Sequence, residues 1–365
     1  MNRQFPVHAS PMRHAVFLCT ALALLGAPAR ADLYPALTGD GAARTVSVYS
    51  AIDEAISGPL ISAFQEANPD VAVLYEELLT LDIFERVVRE TDAGGHTADV
   101  AISSAMDLQV KLANDGYAQA VDVPAADALP DWAVWRDTAF ALTFEPAVIV
   151  YHRPSLGGVE PPQSHGALMR YLDEAGDKIH GRVGTYDVER AGLGFLFLAR
   201  DEEHYRDIWE LVRALGAVGV RVFSNSSTIL QSVADGRLVL GYNILGSYAT
   251  WWADREPDLG IVLPSDYTVV MSRIGLVPRA AAAPDLGARF LDFIMSEAGQ
   301  TVLANELRLP AIHPGVEGEN TIAAMQEAAG PQLRPVPVSP ALLVYFDQVK
   351  RARLIDRWNA ALGAQ

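Results

Sequence analysis

Four turns in this chain place hydroxyl- or amide-bearing side chains where a strand pattern gives way to a helix pattern. Ser50 ends Thr45–Ser50, and Ser103 and Ser104 follow Ala98–Ile102. Ser226 and Ser227 follow Arg221–Ser224, and Asn243 and Ser247 follow Arg237–Tyr242. The first N–H groups of a helix have no partner inside it, so such turns can hold a small polar ligand on hydroxyls and backbone N–H groups together. Ordinary capping explains any one of them; a binding site requires several to converge. The densest stretch is Asn225–Trp252. There Asn225 is an N-cap ahead of Ile229, Leu230 and Val233, Gly236 ends the helix, and a second helix start follows at Asn243–Tyr248.

Other chemistry can join these turns. Arg190, near a helix start, is a candidate clamp for phosphate or carboxylate, or a surface arginine paired with Asp187 or Glu189. Tyr186, Tyr242, Tyr248 and Tyr267 can present phenols to the same space, or sit in the core with satisfied hydroxyls. Glu76-Glu77 is a candidate acidic edge, with a solvated pair as the ordinary alternative. Enzyme signatures are missing. His96, His152, His165, His180, His204 and His313 show no zinc spacing, and no GxSxG elbow or Walker motif occurs. Gly192 and Gly194 are followed by Phe197 where a dinucleotide loop needs a third glycine. No metal ligand set and no cofactor is expected.

The chain opens with a targeting pattern. Arg13 and His14 precede the apolar Ala15–Leu25, and Ala29-Arg30-Ala31 fits a small-x-small cleavage site, so residues 1–31 are expected to be a signal peptide cut after Ala31. Met12 is an alternative start. Cys19, the single cysteine, would leave with the segment, so no disulfide framework is expected in the mature periplasmic protein. The segment carries Arg3, Arg13 and Arg30 and no acid, so its removal takes the formal charge from −17 to −20. That acidity argues against nucleic acid and anionic membranes as partners. It does not exclude a local nest of N–H groups that holds an anion.

Asp32–Arg44 reads as a flexible lead-in. From Thr45 to Gly116 the rhythm is β-α-β-α-β-α, which predicts a parallel sheet with helices on both faces and ligands beyond the carboxyl ends of its strands. Phe140–His152 and Asp266–Val277 are long β patterns flanking a middle block of further β and α segments. Two such crossings imply two lobes and a two-strand hinge, with a cleft that closes on its ligand. The expected boundaries are 45–143 with 272–365 for the first lobe and 144–271 for the second. The terminal helix is expected over Ala341 to about Leu362.

Four stretches make the sequence resemble the extracellular solute-binding proteins of bacterial ABC importers, in the group that includes ferric-ion, phosphonate and sugar-phosphate binders. They are TVSVYSAIDE, ADVAISSAMDLQVKLANDGYAQ, the Asn225–Tyr248 block and DYTVVMSRIGLVPRAAAAPDLGARFLDFIMSEAGQTVLA. The resemblance implies the two-lobed α/β periplasmic binding protein fold (type II) with the ligand in the interlobe cleft, and a monomer that performs no covalent chemistry. It also implies a small-molecule ligand and either an ABC permease or the outer domain of a sensor kinase as partner. The ferric branch usually carries two adjacent tyrosines after the strand that here ends near Gly241; this chain has Gly246-Ser247-Tyr248. It also has Ser50-Ala51-Ile52 where some ferric members carry a histidine. These departures favour a phosphorylated or phosphonate-like organic anion, with ferric ion and other small solutes as the alternatives.

Overall fold

A computed structural model describes Met1, residues 31–39 and residues 44–363. Cys19 and the expected targeting segment up to Arg30 lie outside the described residues. In chain order the elements are β1 (Ala31–Tyr34), β2 (Arg44–Ser50), α1 (Glu54–Ala67), β3 (Val71–Glu77), α2 (Thr80–Asp92), β4 (Val100–Ser103) and α3 (Met106–Asn114). β5 (Val134–Trp135), β6 (Ala139–Ala141), β7 (Glu145–His152), α4 (Arg153–Leu156), α5 (His165–Ala175), β8 (Val183–Tyr186), α6 (Gly192–His204) and α7 (Ile208–Ala217) follow. Next come β9 (Arg221–Phe223), α8 (Ser226–Ala234), β10 (Leu240–Leu245), α9 (Gly246–Ala253), β11 (Leu259–Val262), β12 (Thr268–Met271) and β13 (Ile274–Leu276). The chain closes with α10 (Pro284–Met295), α11 (Glu297–Asn305), α12 (Ile322–Ala329), β14 (Leu333–Pro335) and α13 (Gln348–Leu362).

The strands form two mixed sheets, ordered β1-β3-β2-β4-β13-β6-β5 and β14-β12-β7-β10-β8-β9, with β11 also on β7. In the first, β2 runs parallel to β3 and β4. These strands are covered on both faces: Val46, Val48, Val71, Val73, Val100 and Ile102 enter one core, and Tyr49 and Ala101 pack with Ile83 and Val87 of α2 in another. Phe64 of α1 meets Phe290 of α10 edge-on at 4.8 Å over that core. In the second sheet Ile149, Val183 and Leu240 pack with Leu211, Val212 and Leu215 of α7.

Each long β pattern proves to be two strands in different sheets. Phe140–His152 breaks between β6 and β7, and Asp266–Val277 breaks at Ser272-Arg273. The two links lie side by side: the Leu142 N–H donates to the Arg273 carbonyl at 2.9 Å, and the Arg273 N–H to Thr143 Oγ1 at 2.9 Å.

Three expectations need correction. The start of the lead-in is a strand, since β1 pairs antiparallel with β3 and Gln65 Nε2 donates to the Tyr34 and Pro35 carbonyls at 3.1 and 2.8 Å. The expected cleavage point after Ala31 therefore falls at the first residue of β1. Secondly, β10 begins and ends three residues later than its pattern suggests, with a bulge between Gly241 and Ile244 that puts Asn243 at φ +61°. Asn243 thus lies in the strand and not in a helix-opening turn. Thirdly, the terminal segment does not stay with the first sheet. Pro340–Phe346 packs on α3, whereas α13 packs on α7, and Leu354 and Trp358 enter the second core. Gly216 permits this approach, because a Cβ there would stand 2.4 Å from the Leu362 carbonyl oxygen.

Asp107 of α3 is buried where α3, α6 and this terminal segment meet. Burial pushes its carboxyl up to about 7, against the Leu108 N–H and the charges of Arg351 and Arg200, which pull it down. The folded chain therefore binds this proton more tightly than the unfolded one. The stability the group contributes is present below the unfolded carboxyl range and is lost as pH rises toward 7. Asp107→Asn, which keeps an acceptor for Leu108, should stabilise the protein at pH 8 by on the order of 2–4 kcal/mol. The gain should vanish near pH 4. Urea titrations at both pH values check this, and equal midpoints at pH 8 would contradict it.

Candidate ligand-binding site

Helix starts from both sheets converge on a cavity of about 190 Å³. The first-sheet side contributes Asp53 ahead of α1, Glu77 and Thr80 around the start of α2, and Ser104 ahead of α3. The second-sheet side contributes Tyr186 and Leu193 around α6, Asn225–Thr228 at the start of α8, and Tyr248 from α9. Arg273 reaches it from the link between β12 and β13. A larger surface hollow of about 640 Å³ is bounded by residues 120–140. No second-sheet residue lines it, so of these two cavities the smaller is the one at which both sheets can grip a ligand.

Hydrogen bonds cross the cavity. The Ser227 hydroxyl donates to Asp53 Oδ2 at 2.5 Å and the Tyr248 hydroxyl to Asp53 Oδ1 at 2.9 Å, while the Asp53 N–H lies 2.9 Å from the Tyr248 oxygen. The Gly192 N–H donates to Thr80 Oγ1 at 3.1 Å. Gly192 also packs closely here, since a Cβ there would lie 2.7 Å from Leu108 Cδ1 and 2.9 Å from Ala105 Cβ. Asp53 makes no side-chain cap on its own helix; Glu77 Oε2 instead accepts the Glu54 N–H at 2.8 Å.

Behind this wall is a buried ion pair. Arg273 and Glu145 are 1% and 0% exposed, with Arg273 Nε 3.0 Å from Glu145 Oε1, an approach that lacks the alignment of a hydrogen bond. Thr143 donates its hydroxyl to Glu145 Oε1 at 2.7 Å, Ser247 donates to Oε2, and Arg273 Nη1 donates to the Ala51 carbonyl at 3.1 Å. Burial opposes the guanidinium charge, but Glu145 and nearby groups hold the Arg273 pKa above its usual value. Burial raises the phenols of Tyr186 and Tyr248 well beyond neutral pH, so both remain protonated. At the mouth, Glu77 is pushed up by burial and by the carboxylates of Asp53 and Glu54, while the Glu54 N–H pulls it down.

Of the residues singled out by type and spacing, Ser104, Tyr186, Ser226, Ser227 and Tyr248 line the cavity together. Tyr186 and Ser226 share a hydrogen bond of 2.6 Å. Ser50 and Ser103 are buried at their strand ends, where their hydroxyls accept the N–H of Ile52 and Ala105 at 3.1 and 3.2 Å. Arg190 is exposed and outside the lining, with its N–H on Asp187 Oδ1. Tyr242 and Asn243 lie deeper, where both donate to Asp201. Ser247 serves Glu145. Of the two glutamates, Glu77 lines the cavity, and Glu76 faces the other way toward Arg86, as strand alternation requires.

Asp53, Thr80 and Arg273 were not expected from sequence. Arg273 had a readable signal. It and Glu145 are opposite charges set in the two apolar crossings, and charges within buried strands need partners.

The profile of the bacterial extracellular solute-binding proteins matches residues 59–329. No curated protein matches the chain by sequence. Among solved structures, the substrate-binding protein of an ABC transporter from Agrobacterium tumefaciens is 59% identical, with a TM-score of 0.89 over 92% of this chain and 100% of that one. The fructose-6-phosphate-bound periplasmic binding protein AfuA of Actinobacillus pleuropneumoniae is 16% identical, with a TM-score of 0.71 over 88% of this chain and 99% of that one. Iron-bound HitA of Pseudomonas aeruginosa is 16% identical, with a TM-score of 0.67 over 87% of this chain and 99% of that one. These last two share the fold. Two sheets flanked by helices, a cavity between them and the match over most of its length place this chain in the bacterial extracellular solute-binding protein family.

Proposed function

We propose that the protein is a periplasmic binding component of an ABC importer that captures a small organic ligand through an anionic group and presents it to a membrane permease. One observation carries this reading. The start of α8, with Asn225, Ser226, Ser227 and Thr228, faces the starts of α1 and α2 across one small cavity. Helix N-termini and hydroxyls are donors suited to an anion, and their convergence from two sheets favours capture by closure. On this reading residues 142–144 and 272–273 are the hinge, and α13 moves with the second lobe.

Ser226→Ala combined with Ser227→Ala should weaken ligand binding roughly 10- to 100-fold, the loss of one or two hydrogen bonds to a charged group. The helix should survive, because its cap is Asn225, whose Oδ1 accepts the Thr228 N–H at 2.9 Å. A thermal-shift panel of phosphates, phosphonates, carboxylates and ferric salts identifies the ligand, and calorimetry then compares the variant. A shift with iron alone would reject the anion reading.

A further inference from the structure

We infer that the ligand carries a positively charged nitrogen besides its anionic group, and that Glu77 and Asp53 receive it. This rests on the proposed anion capture and names the ligand class more narrowly. The charged residues lining the cavity are Asp53, Glu77 and Arg273. Arg273 is already held by the fully buried Glu145, so it offers little uncompensated positive charge. Two carboxylates then remain on the first-sheet wall, with Glu54 beside them, and the mutual repulsion of these groups contributes to the raised Glu77 carboxyl.

The two walls differ in kind. Hydroxyls, an amide and the α8 N-terminus stand on the second-sheet side, whereas the acids, beside the hydroxyls of Thr80 and Ser104, stand on the first. Asp53 has each oxygen satisfied by a hydroxyl from across the cavity, whereas Glu77 uses Oε2 for the Glu54 N–H. Its Oε1 has no donor among the described residues. A purely anionic ligand would meet like charge on this wall, and a purely cationic one would leave the α8 donors unmatched. A small zwitterion satisfies both, because an ammonium brings three donors and a charge opposite to the carboxylates.

The test is calorimetry on the full protein with matched probes: 3-aminopropylphosphonate against propylphosphonate, β-alanine against propionate, phosphoethanolamine against ethyl phosphate, and propylammonium alone. The amino member of at least one pair should bind at least tenfold more tightly than its partner. Glu77→Gln should reduce that preference to less than threefold. Glutamine keeps an acceptor for the Glu54 N–H, so the α1 start stays capped, and a circular dichroism melt confirms the fold. Equal binding of the members lacking nitrogen would overturn this inference and leave anion capture standing. No binding by any amino member would overturn it, as would a preference that survives in Glu77→Gln. Propylammonium binding as tightly as the best zwitterion would instead reject the anion reading beneath it.

Discussion

Arg273→Ala should lower the stability of the unliganded protein by about 3–5 kcal/mol, the usual cost of stranding one member of a buried ion pair. The loss is large because Glu145 is 0% exposed and its other partners are the neutral hydroxyls of Thr143 and Ser247. Without the guanidinium its carboxyl must either stay charged without compensation or take up a proton. The change also deletes the contact from Arg273 Nη1 to the Ala51 carbonyl, which ties the β12–β13 link to the loop after β2. Urea unfolding of the variant measures the loss, and a change below about 1 kcal/mol would show that the pair contributes little. Removing both charges is the discriminating control. Arg273→Met combined with Glu145→Leu should recover much of the stability, because apolar residues of similar volume carry no desolvation penalty. Ligand affinity should not recover with it, since Arg273 lines the cavity and its side chain also faces the Tyr248 ring at 5.1 Å.

Asp201→Ala should cost a comparable amount, roughly 3–5 kcal/mol, by leaving three buried donors without their acceptor. Asp201 is 1% exposed and accepts from Tyr242 at 2.8 Å, Tyr267 at 2.7 Å and Asn243 Nδ2 at 2.6 Å. Burial and the Asp201 charge drive both phenols far above their ordinary pKa, so they stay protonated and serve as donors. Tyr267 is stacked on His165 at 4.1 Å, and His165 is held in turn by Asp266 at 2.8 Å, so the donors cannot easily turn elsewhere. Asn243 occupies the bulge of β10 that delivers α9 and Tyr248 to the cavity. Ligand affinity should therefore fall along with stability. Asp201→Asn, which keeps one acceptor oxygen, should lose less of both. If alanine and asparagine are equally mild, water replaces the carboxylate at little cost and the network does not position α9.

Local grammar explains how much of this could be read early. Asn225 caps α8 as its type predicts, and the alternating elements from β2 to α3 follow the apolar periodicity. Such features depend on neighbours within a few residues. The limits of β10 and the split of each long β crossing were not legible, because a continuous apolar run does not record which sheet each half joins. The terminal helix misled for a similar reason: its pattern marks a helix, and its partner α7 is more than a hundred residues away.

The candidate site divides along the same line. The residue types alone established that hydroxyls and helix starts gather in this chain at strand ends, and that enzyme motifs are missing from it. Stretches spread from Thr45 to Ala304 carried the resemblance to the family that the profile match then showed. The tertiary structure decided which hydroxyls face the cavity. Ser50 and Ser103 turn to the N–H two residues ahead, whereas Ser104, Ser226 and Ser227 point to where the sheets meet. It also decided that Arg273 and Glu145, 128 residues apart, neutralise each other. That choice leaves Asp53 and Glu77 to set the charge of the first wall. A side chain's type travels with the sequence, but its partner is chosen by burial, since a charge or hydroxyl withdrawn from water must bind whatever the fold brings within reach.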